Sequence, residues 1–382
     1  MLQNIILLND FDITQRPRPF RMLEMLKNHY NLFAIARECK EITGIKTFAY
    51  PPLKNSKDRS KKEQDELIKK LKNKDFIPLI YTKNRMKILD FFKEIPTASL
   101  IIVEDITLLP FAIDYKKNCP KTKILIDLRE FYPLEYENNP QWMESFGEFF
   151  SFICKNYLPY VDFAITISEG IAKKYQQDFY LDCKIFYSLP PYHNLSPTQI
   201  NNKIQIIYHG FLSPDRNSDF LLEIASQLKE DFHINILGLS NQKDYLQSLK
   251  DKAPKNVSFI PPVPMQELIN FTNIFDIGIL TLSPNTFNNA NAMPNKFFEY
   301  IQARLALIST PLPSLAPLIK KYNIGMCAKD FQAKSLAETL NTLTKKQIMC
   351  YKNSAHNAAQ TLNTTQNQKL ILKWIKELIQ SS

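Results

Sequence analysis

The residues best suited to chemistry lie in one stretch, 288–310, which reads NNANAMPNKFFEYIQARLALIST. Pro294 suits the first turn of a helix, where its missing N–H costs nothing and its fixed φ is already helical. Asn295 and Glu299 are then i,i+4 neighbours, and Lys296 and Glu299 are i,i+3 neighbours. A lysine in the first turn opposes the helix dipole, and its position makes sense if an anion such as a diphosphate binds there. A plain surface pair of Lys296 with Glu299 is the alternative.

A second set follows the apolar run 204–208: His209, Gly210 and, ahead of the next helical stretch, Arg216. Gly210 lets backbone approach a ligand closely, and a guanidinium just before a helix N-terminus is well placed for phosphate. Helix capping or a salt bridge is the other reading of Arg216. In the first half, polar residues stand just beyond apolar runs: Asp105 after 100–103, Asp127, Arg129 and Glu130 after 124–126, and Ser168 and Glu169 after 163–167. Strand ends are where an open α/β sheet puts its ligands, although Asp127 and Ser168 equally suit helix caps. Arg16, Arg18 and Arg21 bracket Pro17 and Pro19 at a helix start, where an anionic acceptor or a phosphate could be met. There is no G-x-S-x-G, and His209 has no partner assignable from spacing, so a hydrolase lacks a positive signal.

The elements that must position these residues are legible as alternating runs. Apolar segments at 5–8, 32–36, 77–81, 100–103, 124–126, 163–167 and 185–189 read as buried parallel strands, with crossover helices at 20–27, 83–93, 107–117 and 141–157. The proline-broken stretch 190–197, PPYHNLSP, marks a domain boundary. Strands then recur at 204–208, 234–237, 257–260, 277–282 and 305–309, with helices starting near 217, 242, 265, 294 and 313. The expected fold class is α/β, two tandem Rossmann-like domains over 1–195 and 196–365. The closing helix, 366–382, places Leu370, Ile371, Trp374, Ile375 and Leu378 on one face, which needs a partner surface.

Composition narrows the function classes. Seven glycines in 382 residues leave almost no place for Gly-rich phosphate loops, and neither a Walker loop nor G-x-G-x-x-G occurs. Six cysteines without a C-x-x-C pair argue against structural zinc and a disulfide framework. No apolar run approaches a signal-peptide core or a membrane span, so a reduced, cytoplasmic protein is expected. The net charge of +10 favours an anionic partner. Lysines outnumber arginines 39 to 9, which disfavours nucleic acid, because base readout leans on the arginine fork. The densest basic run, 54–74, holds nine basic and four acidic residues and reads first as a solvated helix, second as contact with an anionic membrane surface.

The run Pro294-Asn295-Lys296-Phe297-Phe298-Glu299-Tyr300 resembles the donor-site motif of GT-B-fold glycosyltransferases of the large retaining family four. The resemblance implies a nucleoside-diphosphate sugar as donor substrate, with no resident cofactor and no metal. It implies that Glu299 holds the ribose hydroxyls, and that Asn291, Pro294, Asn295 and Lys296 face the diphosphate and sugar. Tyr208-His209-Gly210 with Arg216 is similar to the family's first strand–loop–helix of the nucleotide domain. Residues 124–130 are similar to its Asp-x-His-Glu strand end, 164–169 to its strand running into a Ser-Glu helix start, and Asp105 matches an acid common there.

On that basis Arg216 and Lys296 are expected to meet the leaving diphosphate, with Asp127 and Arg129 in the catalytic cleft between the domains. Asp12, Arg18, Asp105 and Glu130 are expected toward the acceptor, a glycan or a lipid-linked glycan. Asp10-Phe11-Asp12 spells the D-x-D of metal-dependent GT-A transferases, but its place at the first strand of a two-domain pattern puts it in an acceptor-facing loop. Four positions depart from the family: Asn291 for a glutamate, Arg129 for a histidine, Arg304 for the glycine ending the donor helix, and Phe211 for a basic residue. The implied activity is sugar transfer to a hydroxyl with retention, in the cytoplasm or peripherally at the inner membrane face. The C-terminal helix is expected to cross back onto the first domain. A non-catalytic nucleotide-sugar-binding or scaffold protein and a nucleotide-sugar epimerase are the alternatives.

Overall fold

The computed structural model describes residues 2–54, 56–214 and 217–380. The chain forms two compact units, one of residues 1–188, 286–288 and 367–382, the other of residues 189–285 and 289–366.

The first unit is built on seven strands: β1 (Asn4–Asn9), β2 (Asn31–Arg37), β3 (Lys46–Tyr50), β4 (Leu100–Val103), β5 (Lys123–Leu128), β6 (Phe163–Thr166) and β7 (Cys183–Ile185). They lie in the order β3-β2-β1-β4-β5-β6-β7, each pair parallel. Because such a sheet is covered on both faces, its strands are apolar throughout rather than alternating. In β1, Ile6 and Leu8 enter one core with Ile101, Ile124 and Phe111, while Ile5 and Leu7 enter another with Met22, Leu100 and Ile165.

The C-terminal helix, Thr364–Gln380, contributes to that second core. Ile371 and Ile375 are fully buried, and the Trp374 ring lies 5.5 Å from Phe163 and 6.1 Å from Phe186. Asn367 donates to the Tyr187 carbonyl at 2.7 Å, and Gln368 to that of Met25 at 2.8 Å.

The second unit has six strands: β8 (Ile204–Phe211), β9 (Phe232–Leu239), β10 (Val257–Ile260), β11 (Ile277–Leu280), β12 (Ala306–Ser309) and β13 (Gly325–Cys327). They run in the order β10-β9-β8-β11-β12-β13, again all parallel. In each sheet the order reverses beside the first strand, at β1/β4 and at β8/β11, where open sheets of this kind bind ligands.

Local differences from the sequence expectation have physical causes. Residues 77–81 are not a strand. Ile77–Ile80 forms a single helical turn with Pro78 in its first turn, because proline has no N–H to give a central ladder and is already shaped for a helix start. The helix expected over 141–157 is divided into Pro140–Trp142, a π-helical turn Met143–Gly147, and Glu148–Tyr157. The strand expected at 185–189 ends at Ile185, and the short edge strands β3 and β13 were not anticipated.

Candidate functional site

In the second unit the C-terminal end of β8 carries His209 and Gly210. Gly210 has φ +148°, and a Cβ built there would stand 3.0 Å from the Lys296 Nζ. Here glycine serves twice, adopting a backbone that L side chains rarely take and leaving room for the ammonium. The same Nζ lies 3.9 Å from the centroid of the Tyr208 ring. Lys296 stands in the first turn of helix Asn295–Gln302, after an extended Pro294 with no side-chain cap and with no acidic residue in that turn. A cation is thus held by an aromatic face beside uncapped backbone N–H groups at the end of a central strand.

One turn on, the Glu299 Oε2 is 3.7 Å from the His209 Nε2. That nitrogen is buried and has no hydrogen-bond partner among the described residues. Burial, and secondarily the charge of Lys296, pull the His209 pKa down to about 3. The imidazole is therefore neutral, and its contact with Glu299 is not an ion pair. The His209 backbone N–H donates to the Tyr300 Oη at 3.1 Å. Tyr300 packs on Gly278 of β11, where a Cβ would come within 2.4 Å of the ring. These contacts lock the helix carrying Lys296 and Glu299 onto the sheet. Asn291 is half-buried in the loop before it, while Arg216 lies outside the described residues. Arg304, at the helix end, is fully buried with φ +62°, and its guanidinium donates to the carbonyls of Gln302 (2.5 Å), His193 (2.6 Å) and Leu195 (3.2 Å).

In the first unit the structure brings Arg18 and Asp127 together, on each other. Arg18 Nε and Nη2 donate to the two Asp127 oxygens at 2.5 and 2.8 Å, and Nη1 donates to the Phe186 carbonyl at 2.7 Å, all in the interior. Both were expected to face substrate, and this pairing occupies them. Beside them, at the end of β4, Glu104 is fully buried and its carboxyl oxygens find no partner among the described residues. Burial first, and the Asp127 charge second, raise its pKa well above the carboxylate range. Arg129 donates from Nη2 to the Glu104 carbonyl at 2.8 Å.

Asp105 accepts from the Thr107 N–H and hydroxyl at 2.9 and 2.6 Å, and Asp12 from those of Thr14 at 3.1 and 2.9 Å, so each caps its own turn. Asp10 accepts from the Tyr50 hydroxyl at 2.7 Å and pairs with Arg85 at 2.5 Å. The D-x-D carboxylates are therefore engaged within their own unit.

Arg129, Asp105 and Glu130 line a cavity of about 1060 Å³ whose walls all belong to the first unit. Asp12 and Arg18 are not among its lining residues. Arg16 also lines it, stacked 4.1 Å over Phe11, with Arg37 at 4.4 Å from the same ring. Burial, then the charges of Arg129 and Arg37, lower the Arg16 pKa. Glu135 lines the same cavity, its pKa raised to about 7 by burial and then by Glu130 and Asp105.

Sequence reasoning named Tyr208 only as part of a motif, without a role of its own, and passed over Glu104. The usable signal was position alone, since each sits in the last residues of a central strand or just past it.

Residues 196–373 match the family model described as "Glycosyl transferases group 1". The putative teichuronic acid biosynthesis glycosyltransferase TuaH of Bacillus subtilis is 27% identical over 106 residues, 28% of this chain and 26% of the relative, so the match spans about a quarter of that protein. Among solved structures, the HepE protein of Anabaena in complex with UDP and glucose superposes with a TM-score of 0.69 at 12% identity, covering 98% of this chain and 100% of that one. Sucrose-phosphate synthase of Thermosynechococcus elongatus gives 0.72 at 10% identity, covering 100% of both. With two parallel Rossmann-like units, the chain has the GT-B fold, and it is the second unit that holds most of the match to glycosyl transferases group 1.

Proposed function

We propose that this protein transfers a sugar from a nucleoside-diphosphate donor to a hydroxyl of a glycan or glycolipid, with retention and without a metal. The observation that carries the reading is the Lys296 ammonium, held over Gly210 and the Tyr208 ring at an uncapped helix start, with Glu299 one turn behind. Negative charge builds on the leaving diphosphate in the transition state, and a cation fixed in advance stabilises it without reorganising. Lys296 and Arg216 take that role. Glu299 accepts from the ribose hydroxyls, with His209 Nε2 3.7 Å from its carboxylate.

The names of similar proteins support this direction: HepE was solved with UDP and glucose, and the matched relative is named for teichuronic acid biosynthesis. A hexose donor, a polysaccharide pathway and a cytoplasmic site of action follow from the same reading. No helix among the described residues is long and apolar enough to cross a membrane. The engagement of Asp10 and Asp12 within their own unit favours metal-independent turnover, in which fixed cations meet the diphosphate charge.

Calorimetry with UDP tests the donor site. Glu299→Ala is expected to weaken binding by more than about 1.5 kcal/mol, the value of a charged acceptor serving two hydroxyls. Lys296→Ala should weaken UDP far more than uridine. Unchanged UDP affinity in the first variant, or equal losses for both ligands in the second, would remove the assignment. Turnover should survive EDTA, and NMR of the product should show the donor's anomeric configuration. Loss of activity on chelation would return Asp10 and Asp12 as metal ligands.

A further inference from the structure

Residues 53–87 hold twelve basic and five acidic residues, so this short segment supplies +7 of the chain's +10. Three of the twelve have a carboxylate partner: Lys54 with Glu63, Lys74 with Glu148, and Arg85 with Asp10. The other nine have none among the described residues, and seven of these nine are exposed. Self-repulsion on this scale is uncompensated within the fold.

The segment is also tipped with apolar side chains that the core does not take up. Leu53, Ile68, Ile77 and Met86 are 41%, 40%, 47% and 42% exposed. Helix Lys61–Lys72 buries Leu71 and turns Glu63, Glu66, Leu67 and Lys70 toward the cavity of the first unit. Its other face carries Lys61, Lys62, Lys69 and Lys72 around Ile68, with Asp65 the one acid among them. Lys61 and Lys62 occupy the first turn, where a cation is unfavourable to the isolated helix. Leu53, Lys54, Arg59, Lys70, Lys83 and Lys87 also line that cavity, and Leu53, Lys54, Lys83 and Lys87 among them are exposed, so it opens on this segment.

Basic side chains interleaved with isolated exposed apolar ones match the interface of an anionic bilayer, where the cations meet headgroups and the apolar tips enter the acyl boundary. A polyanion in solution would match the charge but leave Leu53, Ile68 and Met86 in water. We infer that residues 53–87 form a docking face for an anionic membrane surface, and that it sets the cavity mouth at the bilayer to receive a lipid-linked acceptor. The second half of this inference rests on the transferase reading. The first does not.

The test uses the full chain and phosphatidylcholine vesicles with and without phosphatidylglycerol. Cosedimentation is expected only with the anionic vesicles, and it should fall steeply from low to high salt as the charges are screened. The variant Lys61→Gln, Lys62→Gln, Lys69→Gln, Lys72→Gln, none of whose positions line the cavity, should lose about tenfold or more in vesicle affinity. Ile68→Gln should weaken binding in high salt more than in low salt. Both variants should keep the wild-type melting temperature and wild-type hydrogen-exchange protection in β1 and β4, which shows that the first unit folds. Transfer to an acceptor embedded in anionic vesicles should drop in step with binding, while transfer to a short-chain, water-soluble acceptor should not.

Equal binding to neutral vesicles, unchanged binding by the quadruple variant, or stronger binding to soluble dextran sulfate than to vesicles overturns the docking face. Docking that holds while no sugar is transferred to any acceptor leaves the membrane face standing and removes the transferase reading.

Discussion

At the scale of single residues the two units bury charge in contrasting ways, and each has a pH signature. In the first, Glu104 is held protonated by burial and by Asp127. A carboxyl whose folded pKa lies above its unfolded one binds more protons in the folded state, so its contribution to stability declines as pH rises from about 4.5 upward. Glu104→Gln mimics the neutral form. Its melting temperature relative to wild type is therefore expected to improve steadily from pH 5 to pH 8.5, and a pH-independent difference would show that Glu104 does not titrate there.

In the second unit, His209 has a folded pKa of about 3 against an ordinary 6.5. Here the unfolded state binds the extra proton, so stability is fully present above about 6.5 and is lost as pH falls toward 3, with a slope of at most about 1.4 kcal/mol per pH unit. His209→Gln should remove that slope. Lys296 was legible from sequence because it breaks a local rule, a cation where the dipole repels one. The Arg18–Asp127 pair was not, because its partners are 109 positions apart and each alone reads as a site residue.

At the scale of elements, the helix Asn295–Gln302 shows how a sequence departure is absorbed. Its terminal position has φ +62°, the conformation for which glycine is preferred, yet it is filled by Arg304. The guanidinium compensates for the strained backbone by donating to the carbonyls of Ile301, Gln302, His193 and Leu195, which span the helix end and the stretch 193–195. Arg304→Ala loses those bonds and keeps the strain, whereas Arg304→Gly loses the bonds and relieves about 1 kcal/mol of it. Both should destabilise, alanine more than glycine, in denaturant unfolding. The reverse order would mean that the backbone is not strained there.

Central strands were readable because a parallel sheet demands unbroken apolar runs, as in β1 and β4. The edge strands β3 and β13 carry too few apolar residues to announce themselves, and residues 77–81 passed as a strand because their apolar length outweighed one proline. Short apolar runs are ambiguous between helix and strand on periodicity alone.

At the scale of the whole molecule, the chain does not divide once. It leaves the first unit after residue 188, touches it at 286–288, and returns with residues 367–382. The amphipathic face of the last helix announced that some surface must cover it, though periodicity could not say which residues would. In the structure Ile371 and Ile375 complete a core of the first unit that includes Ile5, Met22 and Ile165. The first unit can therefore be perturbed from either end of the sequence, with no substitution in the second.

Ile371→Ala removes a fully buried side chain and is expected to cost about 2–5 kcal/mol, all of it from the first unit. Hydrogen exchange should then quicken in β1, β4 and β6, while β8, β11 and β12 keep their protection and UDP affinity stays within about twofold of wild type. The outcome matters for reading every other variant, because the proposed donor residues Lys296 and Glu299 stand in the second unit. If Ile371→Ala loosens both sheets alike, or removes UDP binding, the chain unfolds as one cooperative body, and losses at the donor site must then be separated from losses of fold before any of them is assigned to chemistry.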